Sequence, residues 1–121
     1  MYTTAKTFTF WAKRQLFGFP IDHPNYRINE VSFEVTFELT SIHLNKDGYI
    51  IDLDKLVSIE NLIQNDLHRK NLNTLFRFNP TNENMAKFFF KKFKKQFPNI
   101  SAVIVKELIS GITCKYILSH R

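Results

Sequence analysis

Few side chains in this sequence can bind a transition metal or relay a proton. The histidines are His23, His43, His68 and His120, and the one cysteine is Cys114. A strand that binds metal presents ligands two residues apart, because alternate side chains share a face and converge on one ion. No histidine pair here has that spacing. Each histidine therefore reads as a surface or loop residue, and neither a metal nor a cofactor is expected. The densest charge cluster is Lys87, Lys91, Lys92, Lys94 and Lys95, interleaved with Phe88, Phe89, Phe90, Phe93 and Phe97. Clustered lysines release counterions from a phosphate backbone, and the chain carries a net charge of +6. Phenylalanines at helical spacing nevertheless form a buried stripe, which leaves the lysines on the wet side of the same helix. With no recognised nucleic-acid motif beside them, the preferred reading is a solvated helix face, and nucleic acid is not an expected partner.

Positioning any site falls to a single domain spanning residues 1–121, long enough to bury roughly two thirds of the unfolded surface. A lone cysteine forms no intrachain disulfide, which suits a reducing cytoplasm. The first ten residues lack the architecture of a signal peptide, and no apolar run approaches the roughly 20 residues that span a bilayer. A cytoplasmic protein with no membrane partner is expected. Thr3 to Phe17 and Val31 to Leu39 alternate as strands with one buried face, forming a long antiparallel pair. Gly18 to Pro24, with two prolines and a glycine, must be a loop, and Asn45-Lys-Asp-Gly48 signals a tight turn. Asp52 or Asp54 caps a helix running to about Leu67. Thr81 caps a second helix that ends near Phe97, ahead of Pro98; Asn84 stands where a capping box would place Glu. Strands at 101–107 and 112–118, separated by Ser110-Gly111, complete an α+β order of ββααββ.

Six segments, in order and over essentially the whole chain, resemble the 6-carboxytetrahydropterin synthase/6-pyruvoyl-tetrahydropterin synthase family, most closely its queuosine-pathway type. Phe10-Trp-Ala12-Lys-Arg14-Gln-Leu16 is similar to its F-x-A-x-H-x-L strand, and Ser32-Phe33-Glu-Val35 to the segment after its H-x-H pair. Gly48-Tyr-Ile-Ile-Asp52-Leu-Asp-Lys-Leu56 resembles G-x-[IV]-[IV]-D-F-x-x-L, and Leu72-Asn73 the close of L-D-H-x-x-L-N. Asn79-Pro80-Thr81-Asn-Glu83-Asn-x-Ala86 resembles N-P-T-x-E-x-x-A, and Val103-Ile-Val105-Lys-Glu107 resembles V-x-V-x-E-T. The resemblance implies a T-fold, a four-stranded antiparallel sheet with two helices on one face. It also implies homo-oligomers, trimers or hexamers, with the pocket between subunits.

The family's zinc is held by three histidines, whose positions here read Arg14, Asn29 and Val31. Neither arginine nor valine ligates zinc, so the resemblance carries no metal over. The positions of the family's catalytic Cys and Asp-His pair correspond to Asn25, His68 and Arg69. Asn is no thiolate and Arg stays protonated at working pH. His68 and Tyr26 remain candidate proton shuttles, and His68 reaches the site under a register shift. Glu107 matches the glutamate that anchors the pterin through its N–H groups. The simpler reading pairs Glu107 with Lys106 or Arg14. Arginines at two former chemical positions suggest an anion clamp at Arg14 and Arg69, and the plainer alternative is ion pairs to Glu30 or Glu107.

These residues imply a metal-independent lyase or cyclase acting on a pterin-like or other small heterocycle, with Arg14 or Arg69 holding an anionic group of it. Glu107, Arg14, Asn25 and Asn29 would bind the ligand, with His68, Arg69 and Tyr26 as catalytic candidates. The alternative is an inactive paralogue that binds a pterin or purine-like ligand, or regulates an active synthase by co-assembly; a third and less favoured reading is a basic oligomer that contacts nucleic acid through its lysine helix.

Overall fold

The computed structural model describes residues 1–118; His120 lies outside the described residues. Two long strands open the chain, β1 (Tyr2–Arg14) and β2 (Asn29–Ser41), followed after the helical region by β3 (Ile100–Glu107) and β4 (Thr113–Ile117). They form one antiparallel sheet in the order β1-β2-β3-β4. The helices are α1 (Val57–Leu62), α2 (Leu72–Leu75) and α3 (Asn82–Lys94). The expected ββααββ order and α+β class therefore hold, with the short α2 added.

Alternation decides which face the helices cover. Phe8, Phe10 and Ala12 of β1 and Phe33, Val35, Phe37 and Leu39 of β2 are buried on one face. Against them pack Met85, Ala86, Phe89, Phe90 and Phe93 of α3, and Ile59 and Ile63 from the helical run beginning near Leu53. Phe37 takes Phe89 and Phe93 edge-on, at centroid distances of 6.1 and 5.8 Å. The opposite face carries threonines and charges, with Thr7 and Thr36 hydroxyls 2.8 Å apart across the β1–β2 pair.

The first helix and the end of β1 differ from the sequence expectation. The first helix is not uniform: a 3-10 turn at Leu53–Leu56 leads into α1, and a π turn at Ile63–Leu67 closes it. Asp52 caps the start, its Oδ1 accepting from the Asp54 N–H. Thr81 caps α3 as expected, accepting from the Asn84 N–H at 3.1 Å. The Asn84 side chain completes no capping box and instead donates to the Asn79 carbonyl at 3.0 Å.

β1 stops at Arg14, although its pattern continues to Phe17, because β2 provides no partner beyond Asn29. Asparagine side chains take over the pairing. Asn73 accepts from the Gln15 N–H at 2.7 Å and donates to the Gln15 carbonyl at 2.8 Å. Asn79 does the same for Phe17, at 3.1 and 3.3 Å. Among the described residues, no helix is long and apolar enough to cross a membrane.

Candidate functional site

The antiparallel register brings three strand ends together at one end of the sheet. Arg14 closes β1 opposite Asn29, the first residue of β2, and Glu107 closes β3 opposite Phe33. Arg14 and Glu107 both belong to the inward alternation, so their side chains meet above β2 on the helix-covered face. Arg14 Nη2 lies 2.7 Å from Glu107 Oε2, with side-chain exposures of 6 % and 15 %. The guanidinium sits 5.1 Å from the Phe33 ring centre.

The start of α3 completes this arrangement. Arg14 Nη1 donates to the Pro80 carbonyl at 3.2 Å and to Asn82 Oδ1 at 2.8 Å. Asn82 Nδ2 donates to Glu107 Oε2 at 2.8 Å. Asn82 is itself buried, so one carboxamide bridges both members of the ion pair. Glu107 Oε1 accepts from the Ser110 hydroxyl at 3.1 Å. Burial pushes the Glu107 carboxyl up. The Arg14 hydrogen bond and charge, with the Asn82 and Ser110 hydrogen bonds, outweigh that and hold it below its ordinary value.

Beside this network lies a pocket of about 310 Å³ whose lining includes Arg14, Asn25, Asn29, Glu30, Glu107 and Ser110. All four sequence-derived ligand candidates, Glu107, Arg14, Asn25 and Asn29, therefore share one cavity. Asn29 Nδ2 donates to the Pro24 and Arg27 carbonyls, at 3.0 and 3.1 Å. Arg14 spends its charge on Glu107, so with Glu30 on the rim the pocket is net negative. That corrects the anion-clamp reading of Arg14: the plainer alternative, an Arg14–Glu107 ion pair, is the one observed.

The other candidates lie elsewhere. His68 Nδ1 accepts from the Trp11 N–H at 3.2 Å, and its ring stands edge-on to Trp11 at 5.7 Å. Arg69, at a φ of 66°, donates its backbone N–H to the Trp11 carbonyl at 2.8 Å. Both residues thus cover the outer edge of β1, three residues and about 10 Å of strand from Arg14. Arg69 forms no ion pair among the described residues. Tyr26 is exposed beside Asn25, and its backbone carbonyl receives Gln15 Nε2. His68, Arg69 and Tyr26 do not line the pocket. Burial, and then the Glu83 charge, push the Cys114 thiol up, away from a reactive thiolate.

The donor set does not suit zinc. At the three positions where the resembling family places histidines stand a guanidinium donating to three oxygen acceptors, a carboxamide donating to two carbonyls, and Val31. Among the described residues, no group of three or more His, Cys, Asp or Glu side chains is arranged to hold a metal ion. Sequence reasoning assigned no role to Asn82 or Ser110. Asn82 stands inside the quoted Asn79-to-Ala86 segment, so a signal was present, whereas Ser110 carried only a turn signal.

A four-stranded antiparallel sheet with its helices on one face, and a pocket where the ends of β1, β2 and β3 meet, define a T-fold protein. The family model described as 6-pyruvoyl tetrahydropterin synthase matches residues 3–117, and the chain belongs to that family. The fold is similar to that of 6-pyruvoyl tetrahydropterin synthase from Caenorhabditis elegans, with a TM-score of 0.83 and 18 % identity over 98 % of this chain and 96 % of that one. It is also similar to an uncharacterised protein from Wolinella succinogenes, with a TM-score of 0.82 and 15 % identity over 98 % of each chain.

Proposed function

We propose that this protein binds a small, neutral or cationic heterocycle rich in N–H donors, of the pterin or deazaguanine kind, without zinc. The observation that carries this reading is the Glu107 carboxylate. It is held ionised beside the pocket, with Oε2 committed to Arg14 and Asn82 and Oε1 bonded by a single hydroxyl. Oε1 keeps acceptor capacity for a ligand N–H, and a charged acceptor strengthens that bond. Asn25 and Asn29 supply carboxamide oxygens, and Glu30 adds negative charge that disfavours an anionic ligand. Arg14 contributes through Glu107 rather than by touching the ligand.

This arrangement favours a binding protein, a family member without the parent chemistry, over a repurposed lyase or cyclase. A second, catalytic reading rests on Glu30, an exposed carboxylate at the pocket that could act as a base once a ligand is seated.

Calorimetric titration with pterin, 7-deazaguanine, guanine and a guanine nucleotide tests the proposal. The neutral heterocycles should bind, Asn25→Ala and Ser110→Ala should each weaken binding about 5- to 10-fold, and added zinc should leave the isotherm unchanged. Failure of every neutral heterocycle to bind, or preference for the nucleotide, would sink it. Conversion of a bound heterocycle by the wild type, lost in Glu30→Gln, would establish the catalytic reading.

A further inference from the structure

The phenylalanines around α3 do not all enter the core. Phe89, Phe90 and Phe93 are buried, whereas Phe88 is only partly so and turns toward Phe76 and Phe78. Phe76 stacks on Phe78 at 4.6 Å and meets Phe88 edge-on at 4.8 Å. Phe78 and Phe88 wall an open groove of about 550 Å³ that is otherwise lined by Asn84, Lys87, Lys91 and Lys92. The three lysines form no ion pair or hydrogen bond among the described residues, and Glu83, one turn before Lys87, does not pair with it. Lys94 differs, because its ammonium is tied to the Pro98 and Ile100 carbonyls. Lys87 and Lys91 stand one turn apart, about 6 Å along the axis, an arrangement that disfavours an isolated helix slightly. Half-buried aromatic rings lining the groove, flanked by ammonium groups that have no partner among the described residues, match a ligand that alternates flat rings with negative charge.

We propose that this groove binds single-stranded nucleic acid, with Lys87, Lys91 and Lys92 on successive phosphates and bases stacked on Phe78 and Phe88. Base–aromatic stacking tolerates any sequence and requires bases freed from a duplex. A polymer also suits an open groove, since weak contacts sum along its length. The site lies apart from the Glu107 pocket and shares no lining residue with it, so the two proposals stand or fall separately.

The test is fluorescence anisotropy with a labelled 12-nucleotide thymidylate strand on the full chain. Binding should weaken with salt, with a slope of log K against log salt of about −2, as three phosphate contacts to a single strand predict. The triple variant K87E/K91E/K92E, all exposed positions, should lose at least 10-fold. Phe78→Leu and Phe88→Leu, which keep every charge, should each lose about 5-fold, and an abasic strand of equal length should bind at least 5-fold more weakly than thymidylate. Four results would overturn the proposal: no binding at low salt, binding that survives the triple reversal, equal binding of the abasic strand, or tighter binding of an acidic peptide. The unfolding midpoint of each variant, compared with wild type, separates loss of the groove from loss of the fold.

Discussion

The Arg14–Glu107 pair shows how one buried ion pair organises the end of a sheet. A guanidinium needs several oxygen acceptors in one plane, and Glu107, Asn82 and the Pro80 carbonyl supply them where strand ends meet a helix start. Removing one partner of a buried ion pair leaves the other uncompensated. Glu107→Gln should therefore destabilise the fold by about 3 kcal/mol in urea melts. Arg14→Met should cost less, because Glu107 is the more exposed partner and keeps Asn82 and Ser110 as donors. The double variant should recover part of the loss, and strictly additive effects would contradict the coupling. The pH dependence follows from the same contacts. Because the folded carboxyl is held below its ordinary value, its contribution to stability is full above about pH 4.3 and is lost as pH falls through the depressed value. The wild type should lose stability there, and the double variant should lack that component.

Edge strands must be protected from pairing with other chains, and β1 achieves this largely without a partner strand. Gln64 donates to the Thr9 carbonyl, His68 and Arg69 engage Trp11, and Asn73 and Asn79 take over at Gln15 and Phe17. Within the chain, residues 68–73 are thus held against β1. Asn73→Ala removes both side-chain bonds to Gln15 and leaves part-buried backbone groups without those partners, so it should cost about 1–3 kcal/mol. It should also speed hydrogen exchange at the Gln15 amide. Unchanged exchange there would show that the carboxamide does not hold the strand. Asn73 was legible in the sequence only as half of a Leu-Asn segment, since nothing local reveals that its partner lies 58 residues away.

Among the described residues, two stretches of sheet edge have no backbone partner. β4 presents its outer edge over Thr113–Ile117, and the outer edge of β1, on the opposite side of the sheet, makes no backbone pairing from Tyr2 to Phe8 among the described residues. Two unlike free edges suit head-to-tail closure into a ring, in keeping with the trimers or hexamers that the resemblance implies. Light scattering should return three or six times the 14.4 kDa chain mass, and a monomer at micromolar concentration would exclude that assembly. The strands, the α3 cap at Thr81 and the inward Phe alternation were readable from the sequence, because they rest on local periodicity and local hydrogen bonding. So was the identity of Arg14, Asn29 and Val31 at the positions that the resemblance matches to the family's histidines, since residue type does not depend on the fold. The partner of Arg14, the bridging role of Asn82, the placement of His68 outside the pocket lining and the outward turn of Phe88 were not readable. Each depends on which distant segments the β1-β2-β3 register and the start of α3 bring within hydrogen-bonding or packing distance, and that is settled only when the sheet closes beneath its helices.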